Sequence, residues 1–352
     1  MKFLLLPGDG IGPEIVAATA EIMRAANTRF ALDINFETHE IGVAALARTG
    51  TTLPDSVIAA ARAADGIILG PVSHHEYPPL EQGGINPSGM LRKTLSLYAN
   101  IRPAKSRPGM TILHTPMDLV IVRENTEGFY ADRNMAVGLG EFMPTEDLAL
   151  AVRKISAVAC QRIARSAFDL ARTRRKHVIA VHKANVLRIS DGLFLREVHA
   201  VAAGYPDVTL EEMLVDSATA HLIRSPERFD VIVTTNMFGD ILSDEASELA
   251  GGLGLGASLN AGESHAVAQA QHGSAPDIAG QNKANPTALI LSAAMLLNWI
   301  GGRKSANNFV SAAAALEKAV EDLLTSPQTR TADLGGILTT SAFGTQIAQR
   351  LA

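Results

Sequence analysis

The sequence predicts an α/β fold in two domains, and three observations carry that expectation. The first half alternates short apolar runs with stretches of helical periodicity, the rhythm of a sheet covered by helices. The 352 residues, 47% of them hydrophobic, exceed what one core usually serves and can bury a sizeable interior. There is no internal repeat and no low-complexity linker, while functional-looking loops fall in both halves. One domain is therefore expected to be built from both termini, 1–98 with 251–352, and the other, 99–250, to be inserted between them.

In chain order, Lys2 to Leu6 reads as a strand, Pro13 to Ala26 as a helix with proline at its start, and Leu32 to Glu37 as a strand. Pro54 to Arg62 follows as a helix and Asp65 to Leu69 as a strand. Further strands are expected at Asp118 to Arg123, His177 to His182 and Phe229 to Thr235. Helices are expected at about Glu146 to Thr173, Leu193 to Ala203 and Phe238 to Leu249, and again from Pro286 onward. The dense glycines at Gly251 to Gly256 and at Gly335-Gly336 read as turns.

Composition removes several function classes. The net charge of −5 arises from 31 basic and 36 acidic residues with no long run of either sign, which speaks against nucleic acid and against a polybasic membrane anchor. The lone cysteine, Cys160, excludes an internal disulfide and a cysteine-rich metal site and fits a reducing compartment. Phe3 to Leu6 is too short for a signal-peptide core, and no segment offers the ~18 uninterrupted apolar residues of a membrane span. A cytoplasmic protein acting on small molecules is expected.

Four constellations carry chemistry. Gly8-Asp9-Gly10-Ile11-Gly12-Pro13 joins a strand to a helix, either as a phosphate-binding loop or as a tight turn; its spacing departs from G-x-G-x-x-G. Asn236 to Asp244 follows the apolar run Asp230 to Val233, and its Asp240 and Asp244 lie one helical turn apart on one face. Such a pair suits a hard cation, Mg²⁺ or Mn²⁺, with Asp216 as a third ligand, or else is a solvated acidic first turn favoured by the helix dipole. Arg92, Arg102 and Arg123 form a set in which arginines at strand ends suit bidentate capture of carboxylates. Lys183, in Val181-His182-Lys183-Ala184-Asn185, ends an apolar strand, where a lysine either acts as a base or pairs with an acid. Tyr130, one of four tyrosines, is a candidate proton donor.

Together these segments closely resemble the metal-dependent β-hydroxyacid oxidative decarboxylases, the isocitrate, isopropylmalate and homoisocitrate dehydrogenases. The resemblance runs nearly end to end. Its carriers are Pro7 to Glu14, Leu91 to Pro103, Val122 to Tyr130, His182 to Leu187, Asn236 to Asp244, His272 to Gly280, Ala284 to Thr287 and Asp333 to Gly336. It implies the two-domain isocitrate/isopropylmalate dehydrogenase-like fold rather than a Rossmann fold, and a homodimer whose active sites are shared, Lys183 and Asp216 reaching the neighbouring subunit's site. It implies that Arg92, Arg102, Arg123, Asn86, Ser88 and Asn185 bind a 3-substituted malate, and that Asp216, Asp240 and Asp244 hold Mg²⁺ or Mn²⁺. Lys183 would remove the hydroxyl proton and Tyr130 would protonate C3 after decarboxylation. Ile11, His272, Gly273, Ser274, Ala275, Pro276, Asp277, Ile278 and Asn285 would bind the cofactor. Relatives that use NADP typically carry lysine and tyrosine where Asp277 and Ile278 stand, so NAD is expected.

Two stretches depart from the family pattern. Isopropylmalate enzymes usually place a glutamate and two leucines where this chain has Ile85, Ser88 and Gly89. Isocitrate enzymes use serine then asparagine, two apart; here the types are reversed, Asn86 and Ser88, and the homoisocitrate type has arginine at the position of Gly89. Arg123 to Gly128 looks more like the isocitrate and homoisocitrate branch. Before His272, relatives usually show a phenylalanine, a glutamate and a proline, and Gln269 replaces the acid. The 3-isopropylmalate type is the first expectation; isocitrate, homoisocitrate, tartrate or another alkylmalate are alternatives, as is a non-catalytic regulatory subunit.

Overall fold

The computed structural model describes residues 1–129 and 140–351, and the chain divides into two compact units, Met1–Ser96 with Leu253–Ala352 and Leu97–Gly252. The first unit opens with β1 (Lys2–Leu6), α1 (Gly12–Phe30), β2 (Asn35–Thr38), α2 (Gly42–Thr49), α3 (Asp55–Ala63), β3 (Gly66–Leu69) and α4 (Pro87–Thr94). Helix α1 runs a turn beyond the expected Ala26, because nothing breaks it before left-handed Ala31. The Asn27 side chain then clamps the reversal, accepting from Ile34 N at 2.9 Å and donating to Ile34 O at 3.0 Å, which delays β2 to Asn35.

The second unit contains β4 (Ala99–Lys105), β5 (Asp118–Glu124), β6 (Glu141–Thr145), β7 (Leu148–Ala151), α5 (Ala157–Arg172), β8 (His177–His182), α6 (Ser190–Ala202), β9 (Thr209–Leu214), α7 (Val215–Arg224), β10 (Val231–Thr234) and α8 (Asn236–Ala250). Its sheet order is β4-β5-β10-β8-β9, antiparallel at β4/β5 and parallel elsewhere. Strand alternation sends Val120, Val122, Val178, Ala180, Val231 and Val233 to one face, where they pack on Ile163 and Phe168 of α5 and Phe194 and Val198 of α6. The intervening Leu119, Ile121, Ile179, Val181 and Ile232 go to the other face, against Leu222 of α7 and Leu242, Ala246 and Leu249 of α8. Burial on both faces is why these strands are continuous apolar runs.

The helix expected from Glu146 to Thr173 is wrong in its first third. Residues Glu141–Thr145 and Leu148–Ala151 form an antiparallel hairpin, its turn closed by Thr145 Oγ1 donating to Asp147 at 2.6 Å. The helix begins only after Ser156, whose hydroxyl accepts from Ala159 N at 3.3 Å as an N-cap.

The chain then returns to the first unit with β11 (Leu259–Ala261), β12 (Ala266–Gln269), α9 (Thr287–Lys304), α10 (Asn307–Leu324) and α11 (Thr340–Leu351). Here the sheet order is β2-β1-β3-β12-β11, with β1 parallel to both neighbours and β12 parallel to β3 but antiparallel to β11. Helix α1 packs on α11, and α9 on α10. Among the described residues no helix is long and apolar enough to cross a membrane.

Candidate active site

In the second unit, two strands and one helix bring four of the expected residues together. Arg102 points from β4, Arg123 from β5, and Asp240 and Asp244 from one face of α8. Arg102 Nη1 donates to Asp240 Oδ1 at 3.2 Å, Asp244 Oδ1 at 3.3 Å and Ser243 Oγ at 2.7 Å, while its Nε donates to Asn100 at 2.5 Å. Arg123 Nη1 donates to the same Asp240 oxygen, and its Nε and Nη2 grip Asn236 Oδ1 at 3.1 and 2.7 Å. Both guanidiniums are buried. Arg123 fits because Gly239 has no side chain: a Cβ there would lie 2.6 Å from Arg123 Cγ. Burial pushes the Asp244 carboxyl above the usual carboxylate range against the pull of Arg102, and the charge of Asp240 adds to the rise.

Lys183, at the end of β8, is paired with an acid. Its Nζ donates to Asp216 Oδ1 at 2.5 Å, and this bond holds the exposed Asp216 carboxyl below its ordinary range. Asp216 lies in the first turn of α7. Among the described residues of one chain no three His, Cys, Asp or Glu side chains gather to hold a metal. Asn185 is exposed beside exposed Val186 and Ile189. Tyr130 lies outside the described residues.

The first unit positions the remaining candidates. Three backbone N–H groups of the first glycine loop are spent on protein: Asp9 N donates to Pro71 O at 2.8 Å, Ile11 N to Ser274 O at 2.9 Å and Gly12 N to Asp9 O at 2.8 Å. It is a tight strand-to-helix turn, and Gly10, at φ +57°, leaves no room for a Cβ, which would sit 2.0 Å from Ser274 O. Asp9 itself accepts from Val43 N at 2.7 Å, Ser73 N at 3.0 Å and the Tyr77 hydroxyl. Ser73 Oγ in turn donates to Ser274 Oγ at 2.8 Å.

Following Ser274, Ala275 takes a left-handed φ of 38°, Pro276–Ile278 make one 3₁₀ turn, and Asp277 is exposed. Gly273 has open space around its Cα. The Nε2 of His272 is sealed from solvent without a partner, and burial pushes this imidazole below its usual range. Asn285 donates to Asp333 at 2.9 Å and accepts from Thr287 N at 3.0 Å.

Asn86 and Ser88 begin α4, which also carries half-buried Arg92. The Asn86 side-chain oxygen caps that helix, accepting from Gly89 N at 3.1 Å. Ser88 Oγ donates to Gln269 Oε1 at 2.9 Å, both residues being buried. Sequence reasoning did not assign Asn236, Asn100, Ser243, Asp9 or Asp333 to a site. Each of them nevertheless lies within one of the motifs that carry the resemblance.

The donors present fit the groups that the sequence implies. Asp240 and Asp244 offer hard carboxylate oxygens one turn apart, 35% and 55% exposed and so reachable by a cation. The partnerless buried His272 nitrogen and the open Gly273 fit a planar heteroaromatic ligand, and exposed Asp277 fits hydroxyl donors.

A model of the isocitrate/isopropylmalate dehydrogenase family matches residues 2–347. The 3-isopropylmalate/3-methylmalate dehydrogenase of Methanocaldococcus jannaschii is 40% identical, over 99% of this chain and 98% of that protein. The isocitrate/homoisocitrate dehydrogenase of Thermus thermophilus is 43% identical over 99% and 98%. The crystal structure of isocitrate dehydrogenase from Methylococcus capsulatus matches with a TM-score of 0.87 at 39% identity, covering 99% of each chain.

Proposed function

The chain belongs to the isocitrate/isopropylmalate dehydrogenase family, and from that premise we propose that it uses NAD⁺ and Mg²⁺ or Mn²⁺ to oxidise and decarboxylate a 3-substituted malate of the 3-isopropylmalate type. The observation that carries the reading is the convergence of buried Arg102 and Arg123 on the Asp240/Asp244 face. Two fixed cations beside two oxygen ligands suit a substrate with two carboxylates and a hydroxyl.

In this reading Arg102 and Arg123 hold the malate carboxylates, with Arg92, Asn86, Ser88 and Asn185 assigned to the same substrate by the resemblance. Asp240 and Asp244, with Asp216 from a second copy, hold the metal. The metal would supply Lewis acidity toward the C2 oxygen and the nicotinamide would supply a hydride acceptor. Lys183 Nζ, freed from Asp216 and neutral once its ammonium proton has passed to solvent, would take the hydroxyl proton in a second copy's site. Tyr130 delivers a proton to C3 once CO₂ has left. His272, Asp277 and Asn285 hold the adenosine end of the cofactor, Asp277 accepting from ribose hydroxyls and repelling a 2′-phosphate.

The apolar surface of the second unit supports a homodimer. The β6–β7 hairpin exposes Phe142, Met143, Leu148 and Leu150, and Val186, Ile189, Ile223 and Ile241 are also exposed. A two-stranded ribbon with uncovered apolar residues is marginal alone, and a second copy would cover it. We place the dimer in the cytoplasm.

A polar 3-substituent, as in isocitrate or homoisocitrate, is the second reading, favoured by the buried Ser88–Gln269 hydrogen bond. The test is a panel of 3-isopropylmalate, isocitrate, homoisocitrate, tartrate and other alkylmalates with NAD⁺ and Mn²⁺, followed by NADH absorbance. Metal-dependent turnover that chelation stops is expected, with 3-isopropylmalate preferred. Preference for a tricarboxylate selects the second reading, and inactivity across the panel overturns both in favour of a non-catalytic subunit.

A further inference from the structure

Asp191 is completely buried, in the first turn of α6, yet both of its carboxylate oxygens bond outside that helix. Oδ2 accepts the backbone N–H of Lys183 at 2.6 Å, and Oδ1 accepts Arg153 Nη1 at 2.5 Å. Arg153 is itself only 8% exposed in its side chain. Its Nη1 also reaches Ser190 Oγ at 2.9 Å, and its Nη2 donates to Thr235 Oγ1 at 3.1 Å. The guanidinium carbon lies 5.7 Å from the Phe129 ring centroid and 5.5 Å from that of Phe238.

Stability does not account for this arrangement. Desolvating two charges costs about what their attraction returns, and a packed apolar pair of the same volume often folds as well or better. What an ion pair adds over an apolar one is direction. Its bonds fix the register of the groups at either end, and those groups belong to different elements. At one end is the amide of Lys183, which leaves β8. At the other is Thr235, which immediately precedes α8 and so stands before Asn236, Asp240 and Asp244.

We propose that the Arg153–Asp191 pair is a positioning device that holds the Lys183 turn in fixed register with the start of α8. It rests on the reading of Lys183 as the proton acceptor. Neither member touches substrate; they act through the backbone they hold. Misplacing a reacting group by about 1 Å costs on the order of 100-fold in rate, so the pair controls turnover more than substrate affinity.

The test uses the full-length protein with Asp191→Asn, Arg153→Met, their combination, and Arg153→Lys. Amide hydrogen exchange is followed without substrate over residues 183–187 and 235–239. For a substrate that the wild type turns over, kcat and KM are measured well below each variant's melting temperature. Asp191→Asn and Arg153→Met are each expected to raise exchange in both segments and to lower kcat about 10- to 100-fold with KM within about twofold. The double variant should be no worse than either single one, because one device is lost once. Arg153→Lys should restore part of kcat.

Unchanged exchange at 183–187, additive losses, or a loss carried by KM would overturn the proposal. A variant that fails to fold is replaced by Arg153→Lys, whose exchange then decides. If the wild type is inert on every substrate, the functional reading fails and the exchange measurements still settle the pairing.

Discussion

The charged cluster of the second unit and the loop cluster of the first are held in opposite ways. Arg102, Arg123, Asp240 and Asp244 hold one another: opposite charges, with the arginines buried, meet across strand and helix. The 272–285 loop is held by backbone and side-chain hydrogen bonds, Ile11 N to Ser274 O, Ser73 to Ser274, Asn282 N to Glu14 and Asn285 to Asp333. Its own Asp277 stands exposed. The charges that would do chemistry are therefore also structural in one region and free to change in the other. Substitution in the cluster should move stability and activity together, whereas substitution in the loop should move selectivity alone.

The largest effect that breaks this contrast is expected from Asp240→Asn. The change leaves Arg102 and Arg123 short of their shared partner while Asn236, Asn100 and Asp244 still serve them. Activity should fall on the order of 1,000-fold, since both a metal ligand and the guanidinium anchor are lost. Solvent reaches Asp240, which keeps the stability loss to about 1–2 kcal/mol. Mn²⁺ titration by calorimetry and thermal melting read the two losses separately. Wild-type Mn²⁺ affinity in this variant would remove the cluster from the metal's site.

Asp277→Lys with Ile278→Tyr is the matching experiment in the loop. NADP over NAD selectivity should rise about 10- to 100-fold, the worth of one or two charge-assisted hydrogen bonds. Melting should be unchanged, because Asp277 is exposed. Steady-state kinetics with both cofactors measures it. Unaltered selectivity would remove Asp277 from the cofactor's ribose end.

What was legible in the sequence follows the same division. The strands buried on both faces, such as His177–His182, declare themselves as apolar runs, and Asp240 with Asp244 is read from helical spacing alone. Strand β7 falls inside the expected helix because all four of its residues face solvent, leaving no core-facing stripe to fix a period. Asp191 and Arg153 carry no local signal: their partners lie 8 residues or more away, at Lys183 and Thr235. Asp9 was quoted as part of a glycine turn, but its acceptor role toward Val43, Ser73 and Tyr77 depends on contacts 34 or more residues distant. Spacing reveals what a single element does; it is silent on bonds that close between elements.

The smallest expected effect compares two histidines, His182 and His272. Burial lowers both His182 and His272 from 6.5; Glu212 and Asp191 pull His182 upward and Asp333 does the same to His272, but only His182 adjoins Lys183. Its Nδ1 accepts Ala184 N–H at 3.0 Å, which requires an unprotonated nitrogen beside Lys183. With the folded value below the unfolded one, the unfolded chain binds more protons as pH drops under 6.5. The stability this histidine contributes is thus full above pH 6.5 and is lost as pH falls through its folded value. His182→Gln keeps an acceptor for Ala184 without titrating, so its melting temperature should decline less steeply than the wild type's between about pH 7 and pH 5. Parallel curves would assign that acid limb to other groups and leave the Lys183 turn indifferent to protonation of its neighbour.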